Sequence, residues 1–206
     1  MANQVKTIIN VQHENRDRVT VLFRGILIFP VLIYLCTLAQ MWHWGISSVV
    51  ITVPVMLTLI FRGKYPSYVL TFNHAMMELS TRLSVYMLFL IDDYPSIERN
   101  DNVAVLFPDV DGGKKLSRWQ PIFKLIFAIP LIIVGIIYSV LTLLLTILAW
   151  LHILFTGKYP DPLIKYVVGS IKFWNRVIGY AGVLVTDEYR SEEHTSELQS
   201  HHDLVC

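Results

Sequence analysis

Two long stretches of the chain contain no charged residue. Gly25–Phe61 is uncharged over 37 positions and Leu125–Phe155 over 31. Because about 20 apolar residues cross a bilayer core of about 30 Å as one helix, each stretch is too long for a single span. We therefore predict two transmembrane helical hairpins, over 23–61 and 123–155.

The turns of these hairpins are not equally well marked. The segment 42–45, Trp-His-Trp-Gly, predicts the first turn, because tryptophan favours the headgroup level of a membrane. The second turn falls near Gly135–Ser139 or Thr142–Thr146, which leaves legs of about 15 residues. Such legs are short for a bilayer, so the second hairpin either crosses a locally thinned membrane or is re-entrant.

Two further segments have the polar spacing of amphipathic helices, at 67–90 and 162–185. The second has polar residues at steps of three and four, namely Lys165, Gly169, Lys172, Asn175 and Arg176. The first has a similar stripe, formed by Thr71, His74, Glu78, Thr81 and Arg82. This periodicity predicts helices lying along the cytoplasmic membrane interface, although the stripe also suits contact with a partner helix or with the other segment.

One sequence unit occurs twice. FRGKYPSYV ends the first apolar stretch and FTGKYPDPL the second, and each amphipathic segment leads to an acidic and aromatic step, Asp92–Pro95 or Asp187–Tyr189. Short strand-like stretches, Thr7–Val11 and Val103–Phe107, precede the two apolar stretches. Such self-similarity predicts tandem repeats.

The predicted fold is an all-α integral membrane protein made of two tandem repeats. Each repeat is a transmembrane hairpin followed by an amphipathic interfacial helix, with a short strand before the hairpin. The first repeat covers 1–95 and the second 114–189, and a linker with the second strand lies at 96–113.

Composition and charge placement support this prediction. The 206 residues are 54% hydrophobic and only 16% charged, and the net charge is +1, which argues against a soluble enzyme and against nucleic-acid binding. The lysines and arginines of 1–189 all lie outside the predicted hairpin tips. By the positive-inside rule, both termini are cytoplasmic and the protein is a multi-pass protein of the cytoplasmic membrane.

The last residues have the sequence of a foreign tail. RSEEHTSELQS at 190–200 is the translation of a sequencing adapter, and the same reading frame ends the chain with Asp203–Cys206. We therefore treat 190–206 as non-native. Its histidines His194, His201 and His202 then form no metal site.

Four basic residues of the amphipathic segments are the candidate site for lipid headgroups or a membrane partner: Arg82, Lys165, Lys172 and Arg176. Two GKYP motifs are candidate structural corners: Gly63, Lys64, Tyr65 and Pro66, and Gly157, Lys158, Tyr159 and Pro160. Glycine and proline there end one helix and direct the next, while tyrosine and lysine anchor at headgroups.

The sequence predicts no catalytic residue, metal or cofactor. His74 and Glu78 are four positions apart, but a zinc site needs three or four ligands. His152 lies in an apolar stretch without an acidic partner there, so we expect a neutral side chain that hydrogen-bonds across the helix pair.

The repeated pattern resembles a family of bacterial membrane proteins, the domain of unknown function 4389. The resemblance rests on Lys115, Arg118 and Trp119, the FTGKYP motif, Arg176 with Tyr180, and the step at 187–189. It implies a bacterial source and membrane location, and it carries no activity. The first copy departs from the pattern, with Arg62 in place of threonine and Asp92-Asp93 in place of Asp-Glu.

We therefore expect a non-catalytic protein of the bacterial inner membrane that binds lipids, itself or another membrane protein. Parallel repeats occur in transporters, so a subunit of a small-solute transporter or channel is one alternative. A scaffold for a membrane complex is another.

Overall fold

A computed structural model describes residues 4–14, 16–39, 46–98 and 102–188 of the chain. The described part is mainly helical. In chain order, its elements are β1 (Lys6–Ile9), α1 (Arg18–Leu27), α2 (Phe29–Ala39), α3 (Ile46–Arg62), α4 (Ser67–Met87), β2 (Val103–Leu106), a 3₁₀ turn (Asp111–Gly113), α5 (Gln120–Thr156), α6 (Asp161–Val177) and a π-helical turn (Ile178–Gly182).

The helix α1 begins at a side-chain cap. Asp17 accepts hydrogen bonds from the Val19 amide and the Thr20 hydroxyl, which satisfies groups that have no partner inside the first turn. At the other end, the Ile28 amide donates to Arg24 O at 3.0 Å, so the chain continues from α1 into α2 with a helical hydrogen bond.

The two predicted strands exist and pair with each other. β1 and β2 form an antiparallel two-stranded ribbon in which Thr7 lies opposite Val105. Both strands are shorter than the predicted stretches at Thr7–Val11 and Val103–Phe107. Their pairing joins two segments about 97 positions apart, which local sequence patterns do not specify.

The helix α4 lies between this ribbon and α2. On one face, His74 Nε2 lies 2.6 Å from Val105 O of the ribbon. On the opposite face, Leu79 and Leu83 share a buried cluster with Val31 and Leu35 of α2. α6 is placed similarly, because Asn175 contacts Thr7 of β1 and other side chains of α6 pack on α5.

The predicted hairpin at 123–155 is wrong. α5 runs as one helix through all 37 residues from Gln120 to Thr156, including both proposed turns. The reason is packing: Trp174 of α6 donates to Ser139 Oγ at 2.8 Å, and Gly135 lies directly beneath the Trp174 ring. The small residues that suggested a turn form the contact surface for α6.

The other predicted boundaries fare differently. α4 fills most of the predicted helix at 67–90. α6 ends at Val177, before the predicted limit at 185, because a π-helical turn follows and Leu184 then adopts a positive φ of 62°. The proposed turn at 42–45 and the tail at 190–206 lie outside the described residues.

Three of the helices carry many exposed apolar side chains. Large side chains of α1, α2 and α5 stay exposed, among them Ile26, Phe29, Ile136, Val140 and Leu143. Two helical segments are long and apolar enough to cross a membrane by length and composition, Arg18–Leu35 and Gln120–Thr156.

Candidate membrane-binding surface

The GKYP motifs form the corners between helices. Gly63 and Gly157 have φ angles of 58° and 74°, and each follows the last residue of its helix, α3 or α5. A left-handed residue that ends a helix favours glycine, because a Cβ would be strained there. Pro66 and Pro160 then precede α4 and α6 in extended conformation.

The corner tyrosines are buried, contrary to the headgroup role that we predicted for them. Tyr65 is 5% exposed and donates from its hydroxyl to Val183 O at 2.6 Å. Tyr159 is 3% exposed and donates to Leu88 O at 3.3 Å. Burial raises the pKa of both hydroxyls to about 12, so both remain protonated donors.

The corner lysines remain on the surface. Lys64 is exposed. Lys158 is also exposed, and its Nζ lies 2.6 Å from Glu14 Oε1. The hydrogen bond to this carboxylate raises the pKa of the lysine, so the lysine keeps its charge. Surface pairs of this kind add little stability, because water screens both charges.

Arg82 is not available to a lipid headgroup, so its assignment to the binding stripe is wrong. It is 5% exposed and lies 3.0 Å from Glu78 Oε2. Its guanidinium also donates to Ser96 O and Glu98 O, at 3.0 and 2.6 Å. Arg82 therefore holds the segment after α4 against that helix, as the five-donor fork of arginine allows.

The remaining three basic residues share one side of α6. Lys165 is exposed, while Lys172 and Arg176 are half-buried. Together with the exposed Gly169 they lie along a flank of the helix, at steps of three and four. Asn175, which the sequence placed in the same stripe, is buried and donates to Thr7 and Thr81. The surface that remains consists of Lys165, Lys172 and Arg176.

A buried ionic cluster centres on Asp92, and the sequence analysis missed it. Arg16 and Arg24 lie 2.9 and 2.7 Å from Asp92 Oδ1, and both guanidinium groups are almost fully buried. Arg24 also stacks 4.3 Å above the ring of Tyr86. Burial lowers the pKa of Arg16, and the charge of Asp92 opposes that shift.

A second cluster centres on Asp187. Lys124 Nζ lies 2.6 Å from Asp187 Oδ1, and the lysine side chain is 1% exposed. The Ser117 amide donates to the other carboxylate oxygen at 2.7 Å, and Lys124 lies 5.5 Å from the ring of Tyr180. The available signal was a basic residue at the start of each apolar stretch and an acidic step after each amphipathic segment.

The two histidines singled out by sequence are engaged locally. His74 contacts Val105 O and the ring of Phe107. His152 Nδ1 lies 2.9 Å from Lys158 O, next to the end of α5, so the expected bond across a helix pair is wrong. Within the described ranges, no group of three potential metal-ligating side chains is present.

Comparison with known families gives one match. Residues 118–189 match the model of DUF4389, a domain of unknown function. This part of the chain is similar to DUF4389. The matched range spans α5, α6 and the Asp187 cluster, which confirms the resemblance over this part of the chain. No curated protein and no solved structure matches the chain.

Proposed function

We propose that the chain is a protein of the bacterial cytoplasmic membrane that acts by binding and not by catalysis, with both termini at the cytoplasmic face. The observation that carries the proposal is the large number of exposed apolar side chains on α1, α2 and α5. Water disfavours such a surface by about 25 cal/mol for each Å² of apolar area, whereas lipid chains do not.

The ligand that we propose is the anionic surface of the inner leaflet, contacted by Lys165, Lys172 and Arg176. Each basic residue near such a surface contributes about 1 kcal/mol. Arg82 contributes nothing to this contact, because its guanidinium is already bound by Glu78 and by backbone carbonyl groups.

We also propose that the chain contains two copies of one unit, related by an approximate two-fold axis. Matching contacts support this: Tyr65 reaches Val183 of the other unit, and Tyr159 reaches Leu88. The Tyr159 amide also donates to His13 O, again across the units, and the Tyr65 amide donates to Gly112 O of the linker. Thr81 and Asn175, at matching positions, meet each other.

Liposome flotation tests the lipid contact. The purified protein is mixed with vesicles of phosphatidylcholine, with or without phosphatidylglycerol. Changing Lys165, Lys172 and Arg176 together to Gln should remove most of the preference for the anionic vesicles, about fivefold for each charge. Lys6→Gln removes one positive charge from the ribbon and serves as the control. This variant should keep the preference for anionic vesicles.

Two outcomes of this experiment count against the proposal. An undiminished anionic preference in the triple variant shows that these three side chains do not contact the headgroups. Protein that stays with the buffer fraction, without detergent and without vesicles, shows that the exposed apolar side chains are covered by something other than lipid.

A further inference from the structure

The burial of α5 follows one stripe along its whole length. Its buried positions recur at steps of three, four and seven: Pro121, Lys124, Ala128, Gly135, Thr142, Thr146, Ala149 and Ile153. The opposite positions are exposed along the helix, including Ile126, Ile137, Leu144 and Leu151. α5 therefore presents one continuous apolar face, although its composition is apolar all round.

The length of α5 does not fit a perpendicular crossing. At 1.5 Å per residue, its 37 residues extend about 55 Å, whereas the hydrocarbon core is about 30 Å thick. A crossing helix would leave about 25 Å of mostly apolar helix outside the core, where its exposed side chains would meet water or headgroups.

The partner of α5 argues against a crossing more strongly. α6 packs along α5, with Ile164 and Val167 beside Ala149 and Ile153. Further along, Trp174 contacts Ser139 near the middle of α5. If α5 crossed the bilayer, α6 would occupy the same depth.

That depth would bring charge into the hydrocarbon. Lys172 and Arg176 flank Trp174 in sequence, so both would lie near the bilayer centre. A charged side chain costs at least about 2.5–3.5 kcal/mol there. The ribbon would follow as well, because Thr7 of β1 bonds to Asn175 of α6.

Resting on the proposed membrane location, we infer that α5 lies in the plane of the bilayer, submerged in one leaflet beneath α6 and the ribbon. The exposed apolar face of α5 then contacts the acyl chains of an anionic phospholipid leaflet. Basic residues lie beyond both ends of the helix, Lys115 and Arg118 before it and Lys158 after it, and an in-plane course brings all of them to one headgroup surface. The protein then inserts into a single leaflet without reaching the far side at α5.

Site-directed spin labelling measures this directly. In a background with Cys36 and Cys206 changed to Ser, single cysteines are placed at Ile126, Ile137, Leu144 and Leu151, which share the face opposite the buried stripe. The spin-labelled protein is reconstituted in vesicles of phosphatidylcholine and phosphatidylglycerol. Depth follows from relaxation by oxygen compared with a water-soluble nickel chelate.

An in-plane α5 places all four labels at one depth, about 5–10 Å below the headgroups. Lys115→Cys and Lys158→Cys, at the two ends, should then react with an impermeant maleimide from the same side. A crossing helix gives reaction from opposite sides, and a hairpin gives reaction from one side with Ile137→Cys markedly deepest. Either result overturns the in-plane course but leaves the membrane location intact.

A third result would contradict the proposed membrane location itself. If all four labels are as accessible to the nickel chelate as Lys115→Cys, the apolar face is not in lipid. Circular dichroism of each variant shows whether it folds, and the four positions are exposed, so the labels displace no core contact.

Discussion

The two buried ionic clusters occupy matching places and differ in charge. Asp92 faces two arginines, Arg16 and Arg24, whereas Asp187 faces one lysine, Lys124. Both carboxylates also accept a backbone amide, from Asp17 and Ser117 respectively. The first cluster therefore has a net charge of +1, with two cations and one carboxylate, and the second is neutral.

This difference shows that a buried aspartate can be paired with two cations or with one. The additional positive charge at Asp92 is met by acceptors other than carboxylates, since Arg16 donates to Leu90 O and Arg24 donates to Tyr86 O. Arginine suits this arrangement, because its planar fork binds several oxygens at once. Lysine suffices where a single carboxylate is the partner.

Removal of the charge on Asp92 should have the largest effect. Asp92→Asn leaves two buried guanidinium groups without a counter-charge, and we expect a loss of about 3–5 kcal/mol in the free energy of unfolding. Denaturant unfolding in detergent micelles measures it. Asp93→Asn is the matched control and should change stability little, because Asp93 is exposed and its side chain accepts a hydrogen bond from Asn102. Equal stability of the two variants would contradict the role of the Asp92 cluster.

Asp187→Asn should cost less, about 1–3 kcal/mol. Only one cation loses its partner, and a buried lysine can release its proton, which arginine does not do. The same unfolding experiment applies, with the exposed Asp161→Asn as control. A loss as large as that of Asp92→Asn would show that the number of buried cations does not set the difference between the clusters.

Alkaline pH should weaken both corners. The pKa of Tyr65 and Tyr159 is about 12 in the folded protein and about 10 when unfolded, so their contribution is complete below pH 10 and is lost as the pH rises to 12. We expect a loss of about 1 kcal/mol for each tyrosine by pH 11. Thermal unfolding between pH 9 and 12 checks it, and a Tyr65→Phe/Tyr159→Phe variant that shows the same slope would refute the assignment.

At neutral pH, the two tyrosine hydroxyls should differ modestly. Tyr65→Phe removes a bond of 2.6 Å to Val183 O, and we expect a loss of about 1 kcal/mol. Tyr159→Phe removes a longer contact of 3.3 Å and should cost about half as much. Tyr68→Phe, at an exposed position, is the control for the substitution itself. The reverse order would show that hydrogen-bond length is not the deciding factor.

Local features were predictable from the sequence. The strands, the amphipathic helices and the corners depend on spacing within a few residues, and Gly63 and Gly157 adopt the left-handed conformation that glycine favours. The continuity of α5 was not predictable in this way. Gly135 resembles a turn residue in sequence, but a Cβ there would lie 2.8 Å from Trp174 Cζ2. The small residue serves a close helix contact.

The candidate site was only partly predictable, for a similar reason. A polar stripe on a helix has the same periodicity whether it faces water, lipid headgroups or another part of the chain. Arg82 and Arg176 follow the two GKYP motifs at the same spacing, yet Arg82 is 5% exposed and holds the carbonyl groups that follow α4. Only the tertiary contacts separate the buried arginine from Lys165 on the surface.

The sequence alone therefore determined which segments are apolar, which are helical and where the chain turns at GKYP, because these properties reside in neighbouring residues. The tertiary structure decided that β1 pairs with β2, that α5 continues past Gly135, and that Asp92 and Asp187 neutralise buried cations. Those outcomes depend on contacts between residues dozens of positions apart. In the interior, an unpaired charge or a side chain too large for a close helix contact costs free energy.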